Sequence, residues 1–390
     1  MTDDVAVEYI ELGLRLGRHI DGLVDAYYGP ADIKRRIDAE DLPEPSTLVA
    51  DAAALLDSLP DAGLGEPRRR WLEAQIVGLE TVARRLAGEE ISFEDEVERC
   101  YGVRPTRATE AEFEAAHREL DEALPGSGTL AERYRVWRED DSIPGDALEA
   151  VIDRVAADAR SRTIALVGLP EGESIEFDYV TDEPWPAFNY YLGDLRSRIA
   201  INTDAEIPPA RVVELVGHEA YPGHHSEHAW KEHELVRENG QLEEAILMIG
   251  TPQALISEGI AGLAVEMAFG DEEQEATAVH VAGTGVPYDP DVSRAVQRAR
   301  EPLGRVGGNM ALMIHADGAS VEEAREYFVR WALASEKRAA HMVEFIVDPV
   351  WRSYASTYDD GYYLCRDFVD GDPARFKRLL TEQLTPGDLR

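Results

Sequence analysis

The sequence is poor in cysteine. Its two thiols, Cys100 and Cys365, cannot build a disulfide framework or a thiolate metal cage. Lysine is also scarce: Lys34, Lys231, Lys337 and Lys377 are four of 39 basic residues. Acidic residues number 77, and the formal net charge is −38. A field of that sign repels nucleic acid and anionic membrane, so neither is expected as a partner. The acids run along the whole chain instead of forming a tail. That suits a salt-rich cytoplasm, where molar salt screens charges beyond ~3 Å. No stretch approaches the ~20 apolar residues of a membrane span. The opening MTDDVAVEYIELG has neither the basic nor the apolar segment of a secretory signal. A soluble, cytoplasmic protein is expected.

What is present is enough for a large core. The chain has 390 residues, 44% of them hydrophobic and 8% aromatic, outside the range of disordered chains. Residues 1–168 are expected to form a helical region. Apolar positions recur at helical spacing in VEYIELGLRLGRHIDGLV, RWLEAQIVGLETVARRL and DALEAVIDRVAADARSRTIALVG. Breaks are expected at Tyr28-Gly29-Pro30, Leu59-Pro60, Leu124-Pro125-Gly126 and Ile143-Pro144-Gly145. Residues 169–390 form the second region, continuous with the first in one compact unit. There SIEFDYV, AFNYYL and RSRIAIN alternate with period two and predict a small antiparallel sheet. Pro208-Pro209 suit a helix start, and helices are expected from there to the C-terminus, one opening with the capping box Ser320–Glu323.

The chemistry gathers in VVELVGHEAYPGHH, Val212 to His225. His218-Glu219 opens like the zinc-protease pattern H-E-x-x-H, but Pro222 stands where the second histidine belongs. On a straight helix, a residue six positions on points about 120° away, and one seven positions on lies ~10 Å further along. Neither His224 nor His225 then shares an ion with His218. Pro222 and Gly223 predict a kink that returns one of the two imidazoles to the metal. The plainer reading is a helix ending at Pro-Gly with surface histidines. A third ligand is offered by Glu258, inside the apolar helix TPQALISEGIAGLAVEMAFG, where an unpaired carboxylate is costly. Gly259 and Gly262 would let that helix approach another closely.

GHEAYPGHH followed by SEG resembles the family filed as domain of unknown function 885, helical relatives of the gluzincin metallopeptidases. HIDGLVDAYYGP and HADGASVEEAREYF are similar to that family as well. The resemblance implies a mostly α, zincin-like metallohydrolase with its small sheet ahead of the metal-binding helix. It implies His218, His224 and Glu258 as metal ligands. Family members can carry tyrosine at the position of His225, which favours His224 over its neighbour. Ser226-Glu227 stand where the family continues Leu-Gln, and the family's C-terminal pattern keeps only Ala355, Tyr358 and Gly361. The expected activity is a zinc-dependent metallopeptidase using a metal-activated water, with Glu219 as general base and Tyr358 and His315 as candidate oxyanion donors. Manganese or cobalt would suit the same ligands. The expected substrate is a peptide or small amide. Two alternatives stand beside this: hydrolysis of another amide or ester, and a metal-binding protein without turnover. The free edge of RSRIAIN is expected to receive an extended peptide. Arg196 and Arg198 are weaker candidates for a substrate carboxylate.

Overall fold

A computed structural model describes residues 2–140, 142–183 and 185–390. The chain is mostly helical, and among the described residues no helix is long and apolar enough to cross a membrane. Among the described residues five short strands complete it: β1 (Val24–Tyr27), β2 (Ser174–Val180), β3 (Ala187–Gly193), β4 (Arg196–Asn202) and β5 (Ile246–Met248).

Two of these strands correct the reading of unbroken helix. The first helix stops at Gly17, and β1 follows inside the run expected to stay helical. β5 interrupts the helices of the second half. The two pair antiparallel, Val24 opposite Met248 and Tyr27 opposite Ile246. Four residues cannot sustain a strand alone, and the pairing joins segments more than two hundred residues apart, so local periodicity could not show it.

The larger sheet has the order β2-β4-β3. β3 and β4 form the expected antiparallel hairpin, and β2 joins parallel to β4. RSRIAIN is therefore the central strand, hydrogen-bonded on both edges, and cannot receive a peptide by strand addition. Its run Ile199-Ala200-Ile201 is fully buried, as expected of a strand covered on both sides.

Three helices position the chemistry. Pro209–Glu219 starts at the proline pair and packs on Gly145–Leu166 and on the apolar helix Pro252–Phe269. His224–Lys231 follows after a break. The expected kink is a full stop and restart: Ala220 leaves helical geometry, and residues 220–223 turn the chain. Pro222 has no amide to continue the ladder. Gly223 closes the turn by donating its N–H to Gly217 O at 3.0 Å. A Cβ on Gly223 would stand 2.0 Å from His218 O and 2.4 Å from Gly217 O, so glycine is required.

Pro252–Phe269 lies in the interior, with Leu255, Ile256, Ile260 and Leu263 buried. Each such side chain stabilises the fold by about 1.5–3 kcal/mol. Its partner is the helix Thr357–Val369. Their backbones meet where a Cβ on Gly259 would lie 2.3 Å from Gly361 O. Gly262 meets Tyr362 at an ordinary 3.5 Å, so the close approach rests on Gly259 and on Gly361 opposite, whose Cβ would lie 2.4 Å from Leu255 O.

Candidate metal centre

His218 and His224 face each other across the break, ring centroids 4.7 Å apart and planes at 89°. Glu258 comes from the adjoining helix, its Oε2 3.6 Å from His218 Nε2 and its Oε1 3.9 Å from His224 Nε2. The three side chains present one ligand atom each within 4.8 Å of one another. Donors around a tetrahedral ion at ~2.0–2.1 Å stand ~3.4 Å apart, so small side-chain shifts close this set on one ion. Among the described residues Glu258 Oε2 has no hydrogen-bond partner, although the residue is only 7% exposed. An orphaned buried carboxylate oxygen facing an imidazole is costly, and a divalent cation removes the cost. The donor chemistry and the orphaned oxygen both fit a metal ion.

The groups behind the cluster fix its orientation. His224 Nδ1 lies 3.2 Å from Ser257 Oγ, which donates to Glu227 Oε2 at 2.5 Å. Lys231 Nζ donates to Glu227 Oε1 at 2.7 Å. With the Ser257 proton directed to Glu227, His224 carries its hydrogen on Nδ1 and leaves Nε2 free for an ion. Tyr354 donates to Glu258 Oε1 at 2.5 Å. Sequence reasoning does not single out these partners, although Ser257 sits in the SEG motif and Tyr354 lies four residues before Tyr358.

His225, one residue on, is turned the other way. It is fully buried, with Nε2 2.9 Å from Glu173 Oε2 and Nδ1 2.8 Å from Ser197 Oγ. Tyr221 and Arg160 also donate to Glu173. Both ring nitrogens are thus engaged, and His225 ties the break to the sheet.

Burial and neighbouring charges displace the titratable groups of the cluster from their ordinary values. Burial raises the Glu219 carboxyl to about 7, with Glu258 and Asp25 adding to the rise against His224. Burial likewise raises Glu258. Burial lowers His218 to about 3, assisted by the like charge of His224, so His218 is a neutral donor. For His224, burial opposes the charge, but the Glu227 contact and the charges of Glu258 and Glu219 outweigh it and raise the group to about 9. Raised that far, His224 also carries a proton on Nε2, which an ion bound there would displace.

Asp25 is the residue that sequence reasoning missed. It lies on β1, and its carboxyl is raised to about 6, chiefly by burial, with His224, Glu258 and Glu227 among the charges it feels. HIDGLVDAYYGP resembles the family, but nothing in the run shows that Asp25 comes within range of charges two hundred positions away. Glu219 itself is buried, its backbone carbonyl accepting from Asn189 Nδ2 at 2.6 Å. Tyr358 is 45% exposed, its ring edge-on to Tyr354 at 5.5 Å, and the charges of Glu258, Glu219 and Asp25 act on it.

His315 is not brought to this cluster. Its Nε2 contacts Ile346 O at 2.8 Å and its ring stacks on Phe93 at 5.2 Å. Burial lowers its pKa. It is a packing histidine, and its candidacy as an oxyanion donor ends there. Arg198 is engaged by Asp178 at 2.8 Å and lies over Tyr190.

No family model matches the chain, and no curated protein matches it. Among solved structures, the chain is similar to the one titled "putative lipoprotein" from Colwellia psychrerythraea. The TM-score is 0.52 at 15% identity, over 88% of this chain and 68% of that one. At that identity the likeness concerns the fold alone.

Proposed function

We propose that the chain is a metal-dependent hydrolase acting on peptide bonds, its ion held by His218, His224 and Glu258. The observation that carries this reading is the orphaned Oε2 of Glu258 facing His218, with His224 beside the other oxygen of the same carboxylate. The likeness of GHEAYPGHH and SEG to the domain of unknown function 885 family supports it, as does the family-like run around Asp25. Zinc suits two nitrogens and one oxygen with an open position, and manganese or cobalt would fit the same donors. A bound ion would supply Lewis acidity to the water nucleophile and to the scissile carbonyl.

The chain's own groups do the rest. Glu219 follows His218 directly, and with its carboxyl near neutrality it can take a proton from water and return it to the leaving amine. Ser257, Glu227 and Lys231 hold His224 in one tautomer. Tyr354 holds Glu258, so the carboxylate keeps one oxygen for the ion. We assign the role of oxyanion donor to the phenol of Tyr358, which is exposed and packs edge-on to Tyr354.

The test is Glu219→Gln. The variant keeps wild-type metal stoichiometry and loses hydrolysis of a confirmed peptide substrate by about 10²–10⁴-fold. Retained turnover removes Glu219 from the reaction.

A further inference from the structure

The helices Glu66–Leu86 and Phe93–Tyr101 pack on each other and bring two opposite charges, Arg85 and Glu96, to the wall of one pocket. Glu96 is buried. It accepts from Arg85 Nη1 at 2.5 Å and from Arg352 Nε at 2.9 Å, so two guanidiniums share one carboxylate. Arg85 Nη1 also donates to Pro349 O at 2.9 Å. The Nε and Nη2 donors of Arg85 have no partner among the described residues. Asp348, next to Pro349 in the chain, turns Oδ1 to the amides of Val350 and Trp351, at 2.8 and 3.3 Å.

Around this pair the walls are mostly apolar. Leu23 and Ile249, at the ends of β1 and β5, form one side, joined by the Ile249 N–H donating to Leu23 O at 2.9 Å. Val82 and Leu86 form another, on the helix that carries Arg85. The pocket has a volume of about 290 Å³. An apolar cavity of ~150 Å³ takes up benzene, and small-molecule sites begin near ~300 Å³. The volume therefore suits one ring, or a short branched chain, with an acidic arm. Arg85 and Glu96 are the charged residues of the lining, and His218, Glu219, His224 and Glu258 are not part of it. The pocket is thus separate from the metal centre, although Ser353 in its wall directly precedes Tyr354, the donor to Glu258.

A guanidinium with two unused nitrogens pairs best with a carboxylate, which accepts both bonds in the plane of the fork. We propose that this pocket binds a small apolar carboxylate, its acid on Arg85 and its hydrocarbon body between Leu23, Val82, Leu86 and Ile249. An alcohol with the same body offers one neutral oxygen and forgoes the paired, charge-assisted bonds. A bare acid such as acetate keeps those bonds and forgoes the burial of apolar surface. Both therefore bind more weakly than the apolar acid. Binding here is independent of the hydrolase reading of the metal centre.

The test is calorimetry on chelator-treated protein, so that no metal ion can coordinate the acid. The probes are 3-phenylpropionate, 3-phenylpropan-1-ol and acetate. 3-Phenylpropionate is expected to bind about tenfold more tightly than either of the others. Arg85→Gln removes the preference for acid over alcohol and leaves the affinity for the alcohol unchanged. Leu86→Trp, whose larger ring fills the pocket from its half-buried edge, weakens both aromatic probes by about tenfold or more. Far-UV circular dichroism shows whether each variant is folded. Equal binding of acid and alcohol by the parent protein overturns the proposal, as does no binding of 3-phenylpropionate at millimolar concentration. So does a preference for the acid that survives Arg85→Gln. Undiminished binding to Leu86→Trp places the probe elsewhere and overturns it too. Should Arg85→Gln not fold, the comparison of acid with alcohol on the parent and the loss in Leu86→Trp decide by themselves.

Discussion

Gly223→Ala concentrates the structural argument in one methyl group. The new Cβ would lie 2.0 Å from His218 O and 2.4 Å from Gly217 O, whereas ordinary contact begins near 3.4 Å. Both neighbours are backbone atoms, so no rotamer change relieves the overlap. The turn must open by more than 1 Å, and what it opens is the link between His218 and His224. A metal site tolerates about 0.2 Å in its ligand distances, so a shift of that size is expected to lower metal affinity by about 100-fold or more. Overpacking of this kind costs about 1–3 kcal/mol in stability, a few degrees of melting temperature in a chain of this size. The assays are metal content after dialysis against a competing chelator, and thermal melting of the metal-free protein. A variant that melts with the parent and retains its metal would show that the break does not hold the two imidazoles in register.

Three further outcomes follow from the same geometry. Tyr354→Phe removes the donor to Glu258 Oε1 and should weaken metal binding by about 10-fold with little change in melting; unchanged affinity would show that Glu258 needs no such support. His225→Ala leaves buried Glu173 without one of its partners and should cost about 2–4 kcal/mol while metal stoichiometry is unchanged; loss of metal without loss of stability would reverse the roles of His224 and His225. Asp360 is raised to about 7, first by burial and then by Asp359. Its native state therefore keeps a proton that the unfolded chain has released, and stability falls as pH rises from about 4 to 7. Asp360→Asn should flatten that fall, by about 1–2 kcal/mol after allowing for partial exposure, in denaturant titrations at pH 4.5 and 8. A difference that does not change with pH would refute the assignment.

Much of the chain was legible from pattern alone. The three strands of the main sheet, the helix start at Pro208-Pro209 and the capping box at Ser320 all rest on neighbours a few residues apart. β1 and β5 were not legible, because each is too short to show a period and exists only through the other. The central place of β4 was missed for a related reason: alternation reveals a strand, while its neighbours are set by how the sheet closes. His315 failed because a motif position says nothing about direction, and its ring turns to Phe93 and Ile346.

The sequence by itself determined the candidate donors, since an interrupted His-Glu motif and a carboxylate within an apolar helix are chemical oddities wherever they fold. Which of two adjacent histidines faces the glutamate, and which anchors the sheet, was decided only in three dimensions. So was the approach of Asp25 to the charges of His224, Glu258 and Glu227. Charges scattered along a chain have no meeting point until packing supplies one, and the energy of their meeting depends on distance and burial, which linear order does not contain.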